Sequence, residues 1–156
     1  MRNTSAVPRH VAVKSSGAQI AALPYRVTEA GLEILLITSR RTRRWVVPKG
    51  WLEEGASPAA NAAREAMEEA GISGEVDERP LGSFHYLKDM KHGPDVHCRV
   101  DLFPLKVTRQ RKNWRERAAR EAKWFSLAEA AAAVGEPELK RLILKFGARN
   151  HASPRH

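Results

Sequence analysis

Three glutamates crowd into the segment REAMEEAG, which occupies residues 64–71. Glu65, Glu68 and Glu69 are spaced i, i+3 and i+4, so on a helix of about 3.6 residues per turn their carboxylates share one face. Like charges at this spacing destabilise a helix by about 0.2–0.5 kcal/mol per pair. A divalent cation such as Mg²⁺, which prefers hard oxygen ligands, would turn the repulsion into binding. The same spacing also fits an acidic helix face that is exposed to solvent. The surrounding residues must therefore show which of the two interpretations, metal site or solvated face, applies.

The residues on both sides predict a helix over 57–70. Ser57 is a favourable N-cap, and Pro58 is tolerated at the first helical position. The segment up to Ala70 is rich in alanine, the best helix former, and Gly71 supplies a left-handed residue at the C-terminal end. The face opposite the glutamates is expected to pack on a sheet: Ala59, Ala63, Ala66, Met67 and Ala70.

The segment PKGWLEEGASP leads directly into this helix and favours the metal-site interpretation. It is a glycine-containing loop between a predicted strand and a helix start. Lys49 lies beside it, and the carbonyl of Gly50 could face the same ion as the glutamates. We therefore predict a metal site formed by the loop and the helix together.

These residues resemble the Nudix box, the signature of the Nudix hydrolases. The signature is a glycine, five residues, a glutamate, seven residues, Arg-Glu, an apolar residue, any residue, Glu-Glu, any residue, a glycine and an apolar residue. The stretch GWLEEGASPAANAAREAMEEAGI matches it at Gly50, Arg64, Glu65, Ala66, Glu68, Glu69, Gly71 and Ile72. One position departs from the signature, because its first glutamate falls on Ala56.

The resemblance implies an activity and a set of metal ligands. Nudix enzymes cleave a pyrophosphate bond in a nucleoside diphosphate linked to another group, with Mg²⁺ or Mn²⁺ held by the glutamates of the box. Glu65, Glu68 and Glu69 would be the ligands here, with the Gly50 carbonyl as an additional one. The general base is left open between Glu65, Glu68 and a glutamate outside the box, Glu121, which also fits a solvated strand residue.

The resemblance also gives Arg64 a role, because in the family this arginine ties the loop to the helix with help from the first glutamate. Ala56 removes that help, so Glu53 or Glu54 would have to substitute for it. Weak activity is expected rather than none, because the ligand positions are intact.

Two further segments are similar to the diphosphoinositol polyphosphate phosphohydrolase branch, which includes diadenosine polyphosphate hydrolases. They are LLITSRRTRRWVVPKGWLEEG and RQRKNWRERAAREAKWFSLAEA. Members act on highly phosphorylated substrates, and the planar guanidinium of arginine binds phosphate bidentately. The substrate-binding candidates are Arg40, Arg43, Lys49, Trp51, Lys88, Lys91 and Arg120, of which Arg40 and Arg120 come first.

The elements that must position these residues are mainly short strands. Residues 18–27 and 32–38 read as a hairpin around a turn at 29–31, and WVVP at 45–48 as a short strand. Strand patterns return over 74–87 and 96–107. Such a mixture predicts an α/β (α+β) fold, and the resemblance implies a Nudix-type α/β/α sandwich with a mixed sheet.

Two helices are predicted near the C-terminus. Ser126 with Glu129 forms a capping box, and Gly135 is the expected stop of that helix. Pro137 suits the first turn of the next one. We assign residues 17–147 to a single Nudix domain, flanked by mobile tails at 1–16 and 148–156.

The composition of the chain limits its partners, its compartment and its relation to a membrane. With 27 Lys and Arg against 18 Asp and Glu, the formal charge of +9 indicates a polyanionic partner. A single cysteine, Cys98, excludes an internal disulfide and favours a reducing compartment. No apolar segment approaches the roughly 20 residues of a membrane span, so we expect a cytoplasmic protein without a membrane partner.

The leading prediction is a Mg²⁺- or Mn²⁺-dependent pyrophosphohydrolase acting on a dinucleoside polyphosphate or a diphosphoinositol polyphosphate. Two alternatives stay open. The charge of +9 permits a nucleic-acid-binding module, although no motif of such modules is present. Ala56 permits an inactive Nudix-fold protein that only binds a phosphorylated ligand.

Overall fold

The computed structural model describes residues 16–152, which form eight strands and three helices. The strands are β1 (Ser16–Thr28), β2 (Gly31–Thr38), β3 (Trp45–Val46), β4 (Lys49–Trp51), β5 (Ile72–Val76), β6 (Gly82–Lys88), β7 (Val96–Gln110) and β8 (Ala122–Ser126). The helices are α1 (Pro58–Ala70), α2 (Leu127–Ala133) and α3 (Pro137–Ala152). No helix within 16–152 is long and apolar enough to cross a bilayer.

The strands form one mixed sheet. Its central path runs β3-β2-β1-β7-β5, with β4 paired to β1, β6 to β7 and β8 to β2. The predicted hairpin is confirmed, since β1 and β2 pair antiparallel with Tyr25 opposite Ile34 and Thr28 opposite Gly31. The parallel neighbours β1 and β7 make the sheet mixed.

Helices cover both faces of this sheet, which confirms the predicted three-layer sandwich. On one face α1 packs through Ala59, Ala62 and Ala66 against a layer that includes Ile20 and Phe103. On the other face α2 and α3 pack against a second layer around Phe84, Leu102 and Phe125. Each strand of the central sheet therefore buries both sets of alternating side chains.

The ends of α1 are as predicted, but its buried face is not. Ser57 accepts a hydrogen bond from the Ala60 N–H at 3.1 Å, and Gly71 has φ 70°. Ala62 and Glu69 are buried, whereas Ala63 and Met67 are partly exposed. The alanines that face the sheet are Ala59, Ala62, Ala66 and Ala70. Compared with the predicted face, the buried side of the helix is therefore rotated toward the glutamates.

The C-terminal helices follow the prediction with two differences. The capping box of Ser126 and Glu129 is present, but α2 ends at an extended Val134 (φ −77°, ψ 152°), so Gly135 is not a left-handed stop. Helix α3 begins at Pro137 and buries Leu139, Ile143 and Phe146. It continues to Ala152, so residues 148–152 of the predicted C-terminal tail are helical.

Of the predicted N-terminal tail, residues 1–15 lie outside the described residues, and Ser16 already belongs to β1.

Candidate active site

The site begins where β4 passes the C-terminal half of α1. Gly50 on β4 lies directly against the carboxylate of Glu65, and any side chain at position 50 would overlap that carboxylate. Gly50 therefore lets β4 approach the Glu65 carboxylate closely, and a side chain at position 50 would displace that carboxylate. Pairing with β1, with Gly50 opposite Ile20, holds the strand in this position.

Glu69 lies one helical turn beyond Glu65 and is only 6% exposed. Its Oε1 atom accepts the backbone N–H of Lys49 at 3.2 Å, and the neighbouring carboxyl of Glu65 helps to raise the pKa of Glu69. Burial raises the pKa of Glu69 to about 8, although the Arg120 guanidinium opposes the shift. Burial also raises the pKa of Glu65. Two adjacent acids whose pKa values are both raised form a site where added positive charge is favoured.

Glu68, the third acid, is the most accessible of the series. Its side chain is 31% exposed, and its Oε2 atom lies 3.7 Å from Arg115 Nη1. Within residues 16–152, no three His, Cys, Asp or Glu side chains are already close enough together to surround an ion. The donor set nevertheless fits Mg²⁺ or Mn²⁺, because carboxylate oxygens are hard ligands and Gly50 leaves the space that Glu65 occupies. Binding requires Glu68 to turn away from Arg115.

An ion pair between Arg64 and Glu53 connects the loop between β4 and α1 to the helix. Glu53 thereby replaces the glutamate that the signature has at position 56. Arg64 Nη2 donates to Glu53 Oε1 at 2.8 Å and to Asn61 Oδ1 at 2.9 Å. Ala56, where the signature has a glutamate, contributes only its carbonyl, which accepts from Asn61 at 3.4 Å. Of the two substitutes considered from the sequence, Glu53 takes this role.

Asn61 was not singled out from the sequence, yet it is fully buried. Its Nδ2 group lies within hydrogen-bonding distance of three loop carbonyls, those of Glu53 (3.3 Å), Ala56 (3.4 Å) and Ser57 (3.0 Å). One sequence feature could have indicated Asn61: it is the single amide side chain in the alanine-rich first half of α1. The Asn61 side chain therefore links the loop before α1 to the first turn of the helix.

The loop of residues 111–121 covers the C-terminal end of α1. The Arg111 N–H donates to the Gly71 carbonyl at 2.8 Å, and the Glu116 N–H donates to the Glu68 carbonyl at 3.1 Å. The Trp114 ring packs on Gly71, where a side chain would not fit. These contacts satisfy carbonyls at the end of the helix and hold the loop's arginines beside the carboxylates.

Arg120, a first candidate for phosphate contact, is instead engaged inside the protein. Its side chain is 13% exposed, its Nε donates to Glu116 at 2.6 Å, and its Nη1 donates to the Thr38 carbonyl at 3.1 Å. Its Nη2 lies 3.8 Å from Glu69. This arrangement favours a positioning role at Glu69 over a phosphate contact. Glu116 is a second residue that sequence reasoning missed, since only the folded loop joins it to Arg120.

Glu121 follows Arg120 at the start of β8 and is exposed. Its backbone N–H donates to Thr38 Oγ1 at 2.9 Å, and its carbonyl accepts the Thr38 N–H at 3.0 Å. Successive residues of an extended segment point to opposite sides. Because the Arg120 guanidinium lies 3.8 Å from Glu69, we expect the side chain of Glu121 on the other side of the segment.

The remaining basic and aromatic candidates surround β4. The ammonium of Lys49 lies 4.9 Å from the centroid of the Tyr86 ring, and burial lowers the pKa of Lys49 to about 8. Trp51 packs over Gly17 and is 40% exposed. Lys88 is half-buried at the end of β6.

The other candidates lie on loops. Arg43, which has φ 60°, donates to the Ala119 carbonyl at 3.2 Å and so joins the 39–44 turn to the 111–121 loop. Arg40 and Lys91 are exposed. The structure thus brings Glu65, Glu69, Gly50 and Lys49 together, holds Glu68 against Arg115, and leaves Arg40 and Lys91 on surface loops.

Known proteins resemble this chain in sequence and in fold. Residues 18–146 match the family model described as the NUDIX domain. Over 140 residues the chain is 31% identical to Nudix hydrolase 12, mitochondrial, of Arabidopsis thaliana, covering 80% of this chain and 69% of that protein. Over 101 residues it is 36% identical to diphosphoinositol polyphosphate phosphohydrolase 3-beta of Bos taurus, covering 63% of this chain and 57% of that protein.

Among solved structures, the Ap4A hydrolase binary complex of C. elegans has a TM-score of 0.65, with 24% identity over 87% of this chain and 98% of that one. At this identity the likeness concerns the fold. The match thus spans 69% of the plant relative's length but little more than half, 57%, of the bovine relative's. The family match over residues 18–146, together with the plant relative, confirms what the stretch from Gly50 to Ile72 predicted: the chain belongs to the Nudix hydrolase family.

Proposed function

We propose that this protein is a Mg²⁺- or Mn²⁺-dependent pyrophosphohydrolase that cleaves a phosphoanhydride bond in a highly phosphorylated small molecule. The observation that carries the proposal is the packing of Gly50 against Glu65, with Glu69 buried beside it and bonded to Lys49. A family relative is named for diphosphoinositol polyphosphate and a structural neighbour for Ap4A. Both substrate classes, diphosphoinositol and dinucleoside polyphosphates, are therefore kept.

The metal would be held by Glu65, Glu68 and Glu69, with the Gly50 carbonyl as a further ligand. When bound, such an ion supplies charge neutralisation for phosphate oxygens and lowers the pKa of a coordinated water. Arg120 supports this arrangement, because its guanidinium lies 3.8 Å from Glu69 and holds that carboxylate in place.

The chain's cations would hold the phosphates that do not react. Arg115, which is 74% exposed, lies beside Glu68, and Lys49 lies next to Gly50 on β4. Lys88, Arg40, Arg43, Lys91 and Trp51 are assigned to the more distant parts of the substrate. Fixed cationic donors of this kind stabilise charge that develops on the phosphate oxygens.

The proton of the attacking water needs an acceptor among the carboxylates. Glu68 fits this role best, since its side chain is 31% exposed while Glu69 is buried. Glu65 is the second candidate. Glu121 fits less well, because its side chain is expected on the side of the segment away from Arg120.

The test measures phosphate and nucleotide release from diadenosine tetraphosphate and from a diphosphoinositol polyphosphate, with Mg²⁺, with Mn²⁺ and with EDTA. We expect metal-dependent hydrolysis of at least one substrate, and a loss of at least about 100-fold in Glu68→Gln. Glu78→Gln, an exposed glutamate outside the site, is the matched control. Activity that survives chelation, or that Glu68→Gln leaves unchanged, contradicts the proposal. Binding to random DNA with a steep salt dependence and no hydrolysis would favour the nucleic-acid-binding alternative.

The cytoplasmic location stays a prediction based on the single cysteine and the absence of an apolar signal. It is tested by fractionating cells and locating the protein with an antibody.

A further inference from the structure

A cavity of about 420 Å³ opens on the sheet where β1, β7 and β6 lie side by side. It is lined by Gly17, Ala18, His85, His97 and Arg99. The strand register brings them together, because Arg99 pairs with Ala18 on one side and with His85 on the other. His97 lies two residues before Arg99, on the same face of β7. The volume lies within the range of small-molecule sites, about 300–1,000 Å³.

The guanidinium of Arg99 is held in place beside this cavity. Its Nη2 donates to Ser83 Oγ at 3.3 Å, and its Nε lies 3.4 Å from Asp101 Oδ1. The side chain of Arg99 is still 64% exposed, and a guanidinium has five N–H donors, so several remain for a ligand. Exposed ion pairs contribute little to stability. The contacts of Arg99 therefore orient its side chain more than they stabilise the fold.

The two imidazoles of the cavity lie next to each other, with ring centroids 5.7 Å apart. Glu138 on α3 orients one of them: its Oε1 accepts the backbone N–H of His85 at 2.7 Å and lies 3.1 Å from the ring Nδ1. These hydrogen bonds lower the pKa of Glu138, so its carboxylate is the acceptor. The Nε2 atom of His85 stays available to a ligand and donates when the ring is protonated. The cavity thus offers one oriented cation and two imidazoles.

This set of groups fits a phosphate better than a metal ion. Arg99 repels a cation, and among residues 16–152 no three His, Cys, Asp or Glu side chains could surround one. A guanidinium binds phosphate bidentately. Asp101 and Glu138 oppose an anion, although both already accept hydrogen bonds, from Ser83 and His85. We therefore expect a lone phosphate to bind with low affinity.

We propose that this cavity is a phosphate-binding site, separate from the carboxylate site, for a phosphorylated small molecule. The two sites lie on the same face of the sheet, because Ala18 lies two residues before Ile20, which pairs with Gly50. The Leu52 N–H donates to the Ala18 carbonyl at 3.2 Å, so the loop before α1 borders both sites. The phosphate belongs either to the far end of a substrate held at the carboxylates or to a separate ligand. Phosphate binding itself does not depend on the proposed function.

The experiment titrates the protein with inorganic phosphate in EDTA at constant ionic strength and follows the amide signals of Gly17 and Ala18 by NMR. Without a metal the helix glutamates repel phosphate, so saturable shifts at these amides report on the cavity. In Arg99→Gln the dissociation constant should rise about 10-fold, the loss expected for a hydrogen bond to a charged group. Arg109→Gln removes the same charge from an exposed position of β7 outside the cavity and should bind phosphate like the wild type.

His97→Gln should weaken phosphate binding by a smaller factor than Arg99→Gln. Thermal melting shows whether each variant is folded, and His97→Gln decides if Arg99→Gln is not. The KM for diadenosine tetraphosphate distinguishes the two sources of the phosphate. A higher KM at unchanged kcat in Arg99→Gln assigns the phosphate to the substrate, and an unchanged KM assigns it to a separate ligand.

Two outcomes would overturn the inference. One is the absence of saturable shifts at Gly17 and Ala18 in the wild type, and the other is an equal loss of affinity in Arg99→Gln and Arg109→Gln. Failure of the proposed function is distinguishable, because it appears as absent hydrolysis while the phosphate titration in EDTA still reports on the cavity.

Discussion

Arg64 on α1 and Glu53 in the preceding loop form an ion pair with Nη2 and Oε1 2.8 Å apart. The pair spans the position of Ala56, where the Nudix signature has a glutamate. The loop between β4 and α1 is thus tied to the helix from a different residue. Because Gly50 lies on β4, the strand that leads into that loop, this ion pair bears on the geometry of the carboxylate site.

Removing this tie should lower activity more than stability. Both side chains are well exposed, 40% for Arg64 and 59% for Glu53, and exposed ion pairs contribute less than about 1 kcal/mol. We expect Glu53→Ala to unfold at nearly the wild-type denaturant concentration. Its kcat/KM should fall about 10-fold, because a small displacement of the loop misplaces the reacting groups.

Glu54→Ala is the matched control, since it removes the same charge from an exposed neighbour. Adding Ala56→Glu to Glu53→Ala should restore part of the lost activity by giving Arg64 a partner at the signature position. Equal activity in Glu53→Ala and Glu54→Ala would show that the ion pair does not position the loop.

Asn61→Asp should destabilise the protein strongly. The substitution keeps the size of the side chain but replaces the amide donor that faces the carbonyls of Glu53, Ala56 and Ser57. Three carbonyls would then face a buried acceptor, so we expect the free energy of unfolding to fall by about 2–3 kcal/mol in urea titrations. Asn113→Asp makes the same change at an exposed position and should stay within about 0.5 kcal/mol of wild type. Equal losses in both variants would mean that Asn61 does not support the loop.

Glu69→Gln should separate metal binding from folding. Glu69 is 6% exposed and lies one helical turn from Glu65, so a neutral amide removes one of two adjacent acids whose pKa values are raised by burial. In EDTA we expect the variant to melt at or above the wild-type temperature. Saturating Mn²⁺, at about 100 times its Kd, should stabilise the wild type by about 2.7 kcal/mol and the variant far less. A variant stabilised by Mn²⁺ as much as the wild type would exclude Glu69 as a ligand.

Arg120→Lys should reduce both stability and activity, although it keeps the charge. A lysine ammonium cannot reach Glu116, the Thr38 carbonyl and Glu69 together as the guanidinium does. We expect a loss of about 1–3 kcal/mol in unfolding free energy and a fall in kcat of at least about 10-fold through a misplaced Glu69. Arg117→Lys, on the exposed part of the same loop, is the control. If Arg120→Lys raises KM alone, Arg120 contacts substrate rather than positioning Glu69.

The sequence by itself determined the local framework of the site. Ser57, Pro58 and Gly71 predicted the ends of α1, and the spacing of the glutamates predicted their common face, because hydrogen bonding and side-chain direction within a helix depend on neighbours three or four residues away. The hairpin of β1 and β2 was predictable for the same reason, since its turn lies between its two strands.

Only the tertiary structure decided which distant residues become partners. Arg120 and Thr38, 82 positions apart, meet because the start of β8 pairs with β2, and no local pattern around Arg120 distinguishes it from the other arginines of its loop. The same holds for Glu53, whose bond to Arg64 rather than that of Glu54 is decided by the path of the loop. The sequence around one charged residue does not distinguish it from its charged neighbours. Its role therefore depends on the backbone position that long-range strand pairing and core packing give it.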